Sequence, residues 1–128
     1  VYANVPLHHQ VFLAQFDAIK KAVRQGPCVI VGRCADYALA DDPRRLSVFI
    51  HAPEEVRIQR VCTLYGLSRR DAEVALSKTE KRGANYHNLY SDKKWGAATS
   101  YHLCVDSSIN GIDGTVELID RFMDNWKR

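Results

Sequence analysis

Three short apolar runs restrict what this chain can fold into more than any other feature of it. They are CVIV at residues 28–31, LSVFIHA at 46–52 and YHLCVDSS at 101–108. Each is too short for an ordinary helix and is bounded by turn-forming residues, which predicts strands covered on both faces. Around them the apolar residues recur at helical spacing. Leu7, Val11, Phe12, Phe16, Ile19, Ala22 and Val23 mark one face of a helix over residues 6–25, opened by Pro6 and stopped by Gly26-Pro27. A short helical piece passes through Tyr37 to Leu39, and DDPRR at 41–45 is a turn. PEEVRIQRVCTLYG predicts a helix over 53–66, with Pro53 and two acids in its first turn. Ser68 and Asp71 form a capping pattern for the next helix, which runs through Ala72, Leu76 and Thr79. Val116, Ile119, Phe122, Met123 and Trp126 share one face of a closing helix.

Strands alternating with helices imply an α/β fold, a largely parallel sheet with helices on both faces in three layers. Ligands of such sheets bind outside the carboxyl ends of the strands. Those exits are Gly32-Arg33, the HAP at 51–53 and the DSS at 106–108. A length of 128 residues suits a single domain. The net charge of +3 fits an anionic ligand but is too sparse for a nucleic-acid binder. No apolar run approaches the roughly 20 residues that span a bilayer, so no membrane partner is expected, and a cytoplasmic location is. Cys28, Cys34, Cys62 and Cys104 have no zinc spacing, and His8, His9, His51, His87 and His102 form no ligand array. No protein-held metal is expected, and the thiols read as reduced structural groups, with Cys28 and Cys104 inside buried strands.

Four stretches could carry chemistry. Gly32 lets the chain turn off its strand, and Arg33 then enters the crevice as a fork suited to phosphate, or pairs with Asp36 or Asp41. Residues 78–95 mix Lys78, Lys81, Arg82, Lys93 and Lys94 with Tyr86, Tyr90 and Trp95, while the apolar period fades after Leu76. That pattern suits a mobile lid that closes cations onto phosphates, or a solvated hairpin. Arg57 and Arg60 share a helix face, and an ion pair within the helix is the expectation for Arg60. DSSINGID at 106–113 is a polar loop in which Asp113 could cap the last helix.

Taken together, GPCVIVGRCADYAL, VFIHAPEEVRIQRV, YGLSRRDAE, KTEKRGANYHNLYSDKKWG and YHLCVDSSINGIDGTVELI resemble the cytidylate kinase-like family of P-loop nucleoside-monophosphate kinases. The resemblance implies transfer of the γ-phosphoryl group of ATP, with Mg²⁺, to CMP, dCMP or a related acceptor. It makes Arg33 a ligand of the acceptor nucleotide, with Asp36 the nearest acid and Arg57 a support of the phosphate site. Lys81 and Arg82 would face the transferring phosphates, and Ser107, Ser108, Asn110 and Gly111 would lie by the adenine. Nucleotides are the implied partners, and homo-oligomerisation stays open. Two departures stand out. The acid that classically follows Gly-Arg is here Cys34, and the lid lacks the classical arginine-and-aspartate pattern. A third is larger: no Gly-x-x-x-x-Gly-Lys-[Ser/Thr] occurs anywhere in the sequence. The expectation is therefore a single partial kinase domain over 1–128, with a lid-like segment at 78–96. It would match the family's C-terminal part and leave a gap where the central P-loop strand would run, and alone it would be inactive. The alternative is a non-catalytic nucleotide-sensing or oligomerisation module on the same scaffold.

Overall fold

A computed structural model describes residues 6–126, so the expected domain span of 1–128 extends past it at both ends. Helix α1 (Leu7–Gln25) is followed by a stretch without regular structure, the four-residue helix α2 (Ala35–Ala38), strand β1 (Val48–His51), helices α3 (Glu54–Tyr65) and α4 (Arg69–Tyr90), a 3₁₀ turn (Ala98–Ser100), strand β2 (Leu103–Asp106) and helix α5 (Gly111–Asp124). The two strands pair in parallel, with Val48 opposite Leu103 and His51 opposite Asp106. The α3–α4 hairpin makes the crossover that a parallel pair requires.

Local chemistry sets the helix ends. Ser68 Oγ accepts the Asp71 N–H at 3.2 Å and starts α4, as its capping pattern predicts. Gly66, at φ 65°, closes α3 in the left-handed region. Asp113 does not cap α5. Asn110 takes that position and Asp113 sits in the first turn. At the α3–α4 hairpin Ala72 is fully buried, and its bare methyl lets the two helices come close.

The expected strand at residues 28–31 does not form. The stretch has no regular structure and no ladder partner among the described residues, and Val29 and Val31 are 93% and 88% exposed. The sequence pattern asks for burial; a strand obtains it only from neighbours that hydrogen-bond to its edges, and β1 pairs with β2 alone. Cys28 is accordingly exposed rather than buried, whereas Cys34 is buried. The sheet is thus two-stranded and half-covered, with Ile50 54% exposed, not the fully covered sheet expected from its strands.

Burial concentrates instead around Phe12 of α1. Its ring stacks on Tyr90 at 4.0 Å and 6° and meets Phe16, Tyr37 and Tyr86 at 6.1–6.5 Å. A second aromatic group lies over the sheet, where Phe49 meets Trp95 at 5.2 Å and Tyr101 at 5.0 Å. Among the described residues no helix is long and apolar enough to cross a membrane.

Candidate functional site

The turn after residues 28–31 is the most constrained backbone in the chain. Gly32, Arg33 and Cys34 all adopt positive φ, at 69°, 59° and 57°. Glycine tolerates this region; two consecutive side chains that occupy it must be held there. Three contacts with α4 hold them. The Arg33 guanidinium lies 5.4 Å over the Tyr86 ring. Cys34 Sγ points at the carbonyls of Tyr86 and His87, at 3.9 and 4.0 Å. Asp36 Oδ2 lies 3.1 Å from His87 Nε2, and both side chains are largely buried. An ionised carboxylate only accepts, so the His87 Nε2–H donates to it. Burial, with Asp36 nearby, pushes the Cys34 thiol up to about 11, so it is a packing group and not a nucleophile. Arg33 therefore pairs with neither Asp36 nor Asp41 but sits on an aromatic face.

Arg57 is placed one turn beyond β1. Its Nε donates to the Ala52 carbonyl at 2.8 Å, and its guanidinium pairs with Glu80 of α4. Arg60 makes no ion pair within its helix. It donates to Ser107 Oγ at 2.7 Å and to the Ser107 carbonyl at 3.1 Å, tying α3 to the loop after β2. That loop is committed to its own geometry. Ser107 is buried and its Oγ donates to the His51 carbonyl at 3.2 Å. Ser108 donates from both N and Oγ to Asp106 Oδ1, at 2.8 and 2.6 Å, and these bonds hold the Asp106 carboxyl below its usual range. Asn110 and Gly111 are exposed.

Lys81 and Arg82 lie within α4, which continues through the segment whose apolar period fades after Leu76. Arg82 is one turn before Tyr86 and shares its face, whereas Lys81 projects about 100° further round the helix. Arg82 thus shares a face of α4 with the tyrosine on which Arg33 sits, and Lys81 lies on another. Nor does this segment lack an apolar face. Tyr86 donates to Gln15 Oε1 at 2.6 Å, and Tyr86 and Tyr90 both pack on Phe12. Sequence reasoning missed Glu80, Tyr86 and His87 as the residues that organise the site. The i, i+4 spacing of Arg82, Tyr86 and Tyr90 was the signal available.

Among the described residues no carboxylate lies in ion-pair range of Arg33, Lys81 or Arg82. Arg33, Lys81 and Arg82 are therefore cations available to an anion, Arg33 at the turn after residues 28–31 and the other two on α4. The Mg²⁺ and ATP that the resemblance implies find no matching donor set. No three His, Cys, Asp or Glu side chains converge among the described residues, and the sequence has no Gly-x-x-x-x-Gly-Lys-[Ser/Thr].

The profile of the Cytidylate kinase-like family matches residues 2–109. This chain belongs to that family. No curated protein matches it. A crystal structure of an uncharacterized protein from Eubacterium ventriosum ATCC 27560 is similar to it, with a TM-score of 0.87 and 29% sequence identity over 98% of this chain and 70% of that one.

Proposed function

We propose that this chain forms the acceptor-nucleotide side of a kinase that moves the γ-phosphoryl group of a nucleoside triphosphate to CMP, dCMP or a related monophosphate. The single observation that carries the reading is Arg33: a guanidinium held by a strained turn, with no carboxylate partner among the described residues, in a chain of this family. A guanidinium fork donates two parallel hydrogen bonds to a phosphate, and Tyr86 beneath it keeps the fork in place. Arg82 and Lys81 supply further positive charge along α4, and Arg57 supports the phosphate site from α3 with Glu80 as its partner. Asp36 takes part through His87, by fixing the turn that carries Arg33. Asn110 and Gly111 offer the exposed backbone of the loop after β2 to a base, and Ser107 and Ser108 hold that loop in shape. Phosphoryl transfer asks mainly for positioning and charge neutralisation, which these residues can give. These residues serve the acceptor side, and none of them stands in for a Gly-x-x-x-x-Gly-Lys-[Ser/Thr] loop at the donor phosphates.

The missing Lys-Ser or Lys-Thr loop favours a second reading, a module that binds nucleotides without turning them over. A panel of nucleoside monophosphates, assayed for phosphorylation by ATP with the full-length protein and its Arg33→Ala variant, separates the two. The kinase reading expects turnover of at least one pyrimidine monophosphate. It also expects a loss of about 10- to 100-fold in kcat/KM for that acceptor in the variant, the worth of a charge-assisted bidentate contact. Nucleotide binding with no turnover of any acceptor would establish the second reading.

A further inference from the structure

Helix α5 carries an apolar stripe on a side that a surface helix ordinarily keeps polar. Ile112, Val116, Ile119 and Met123 recur at i, i+4, i+7 and i+11, so they share one face. Ile119 is partly covered, while Ile112, Val116 and Met123 are each more than half exposed. At the first turn of α5 the stripe widens. Ile112 lines an open groove of about 620 Å³ with Val56, Thr63 and Leu64 of α3, and Leu64 is exposed as well. Apolar side chains gathered in this way across two helices mark a place where another surface docks, and this one is independent of the kinase reading.

Charge says what kind of surface fits. Asp113, Asp120 and Asp124 form the row beside the stripe, at i, i+7 and i+11, and none has a cation in ion-pair range among the described residues. Arg121, the one base of α5, pairs with Glu117. The occupant therefore needs an apolar stripe bordered by positive charge. Helix α1 has one. Leu7, Val11, Ala14 and Ala18 repeat the same i, i+4, i+7, i+11 spacing, on a different side from the buried Phe12 and Ile19, and all four are exposed. Lys21 continues that row, with Lys20 and Arg24 in the same turn of helix and Asp17 the only acid of α1. Lys21 and Arg24 have no carboxylate in ion-pair range among the described residues. The small Ala14 and Ala18 leave room for larger side chains such as Ile119 and Met123. Within one chain both stripes are exposed, so they do not cover each other.

We propose that α5 docks a second copy of this chain, whose α1 lays Leu7, Val11, Ala14 and Ala18 on the apolar stripe and sets Lys21 and Arg24 against the aspartate row. Two-fold symmetry repeats the contact with the roles exchanged, so the pair closes as a dimer and doubles the buried area. Sedimentation equilibrium of the 128-residue chain over a range of concentrations tests this. The expected species at high concentration has twice the mass of one chain. Val116→Asp puts a charge into the stripe at an exposed position and should abolish the dimer, with the far-ultraviolet circular dichroism unchanged. Asp120→Lys with Asp124→Lys should weaken association about tenfold, and so should Lys21→Glu with Arg24→Glu, since each exposed ion pair is individually small. An equal mixture of these two double variants should dimerise again, because each presents the charge that the other has lost. A single-chain mass at every concentration would overturn the proposal and leave the stripe to a different partner. A dimer that survives Val116→Asp would overturn the assignment to α5. Mixed variants that associate no better than either alone would overturn the pairing of α1 with α5. Species heavier than two chains would overturn the two-fold closure.

Discussion

Phe12 and Val31 belong to neighbouring stretches of one chain and meet opposite fates. Phe12 is 8% exposed at the centre of a five-ring cluster, while Val31 is 88% exposed in a stretch without regular structure. Both look like core residues in the sequence. The difference is where their partners come from. Phe12 finds Phe16 on its own helix and Tyr86 and Tyr90 on α4, all within the described residues. Val31 can be buried only by strands paired on either side of it, and β1 is hydrogen-bonded to β2 instead. The α1–α2–α4 region is self-sufficient, whereas the strand region offers apolar surface to a neighbour.

Four perturbations test that contrast. Phe12→Ala should cost about 3–5 kcal/mol of stability, because it empties the middle of the aromatic cluster. Urea unfolding measures it, and a loss under about 1 kcal/mol would mean that the cluster does not hold α1 on α4. His87→Phe keeps most of the volume but leaves the Asp36 carboxylate buried without its donor. A loss of about 1–3 kcal/mol is expected, with Asp36→Asn, which can still accept from Nε2–H, losing less. Equal losses in the two variants would show that packing and not the hydrogen bond is responsible.

Acidification should act more gently, through His102. Burial first, then the positive charges of Arg45 and Lys93, hold its pKa below the ordinary 6.5. The unfolded chain then takes up the proton more readily than the folded one. The His102 contribution is complete above 6.5 and is lost as pH falls from there through the lower folded value. Chemical unfolding at several pH values should show midpoints dropping through that window. His102→Asn, whose side-chain oxygen can still accept the Ser47 N–H, should flatten this part of the profile, and an unflattened profile would assign the drop to other groups. The smallest effect belongs to the exposed stretch at residues 28–31. Val29→Ser and Val31→Ser should each change the stability of this chain by less than about 0.5 kcal/mol, as at other open surface positions. A loss above about 1 kcal/mol in either would show that a partner covers these residues in solution, and that the contrast with Phe12 disappears there.

Much of this was legible in the sequence, for reasons that particular residues make plain. Period and end signals are local, so α1, α3 and the Ser68 cap of α4 lie where Pro6, Pro53 and Ser68 announce them. The paired strands Val48–His51 and Leu103–Asp106 fall inside their predicted runs. The CVIV run failed because run length and β-branching report a demand for burial and not the presence of a partner. Helix α4 outlasted its apolar period because a face can be built from tyrosines and a histidine: Tyr86, His87 and Tyr90 pack where leucines would have been recognised. The candidate cations Arg33 and Arg57 were readable from their place after strands, by the rule for parallel sheets. Their organisers were not, since Tyr86 lies 53 positions after Arg33, and Glu80 lies 23 after Arg57. Arg60 misled for the same reason, its partner Ser107 being 47 positions away.

The run of three positive φ angles at residues 32–34 has a mechanical consequence. Arg33 and Cys34 each give up on the order of 1 kcal/mol to stand in that conformation. Local bonds hold part of the turn, from Ala35 N–H to the Gly32 carbonyl and from the Tyr37 and Ala38 N–H groups to the Cys34 carbonyl, at 3.0–3.2 Å. Every side-chain fastening comes from α4: the Tyr86 ring, two carbonyls and His87. A displacement of the second half of α4 would therefore remove the side-chain contacts of the turn together. Conversely, an anion that grips Arg33 in its present pose steadies those contacts. Position 33 is thereby tied to the second half of α4, and a ligand held by Arg33 acts on that helix through the Tyr86 ring.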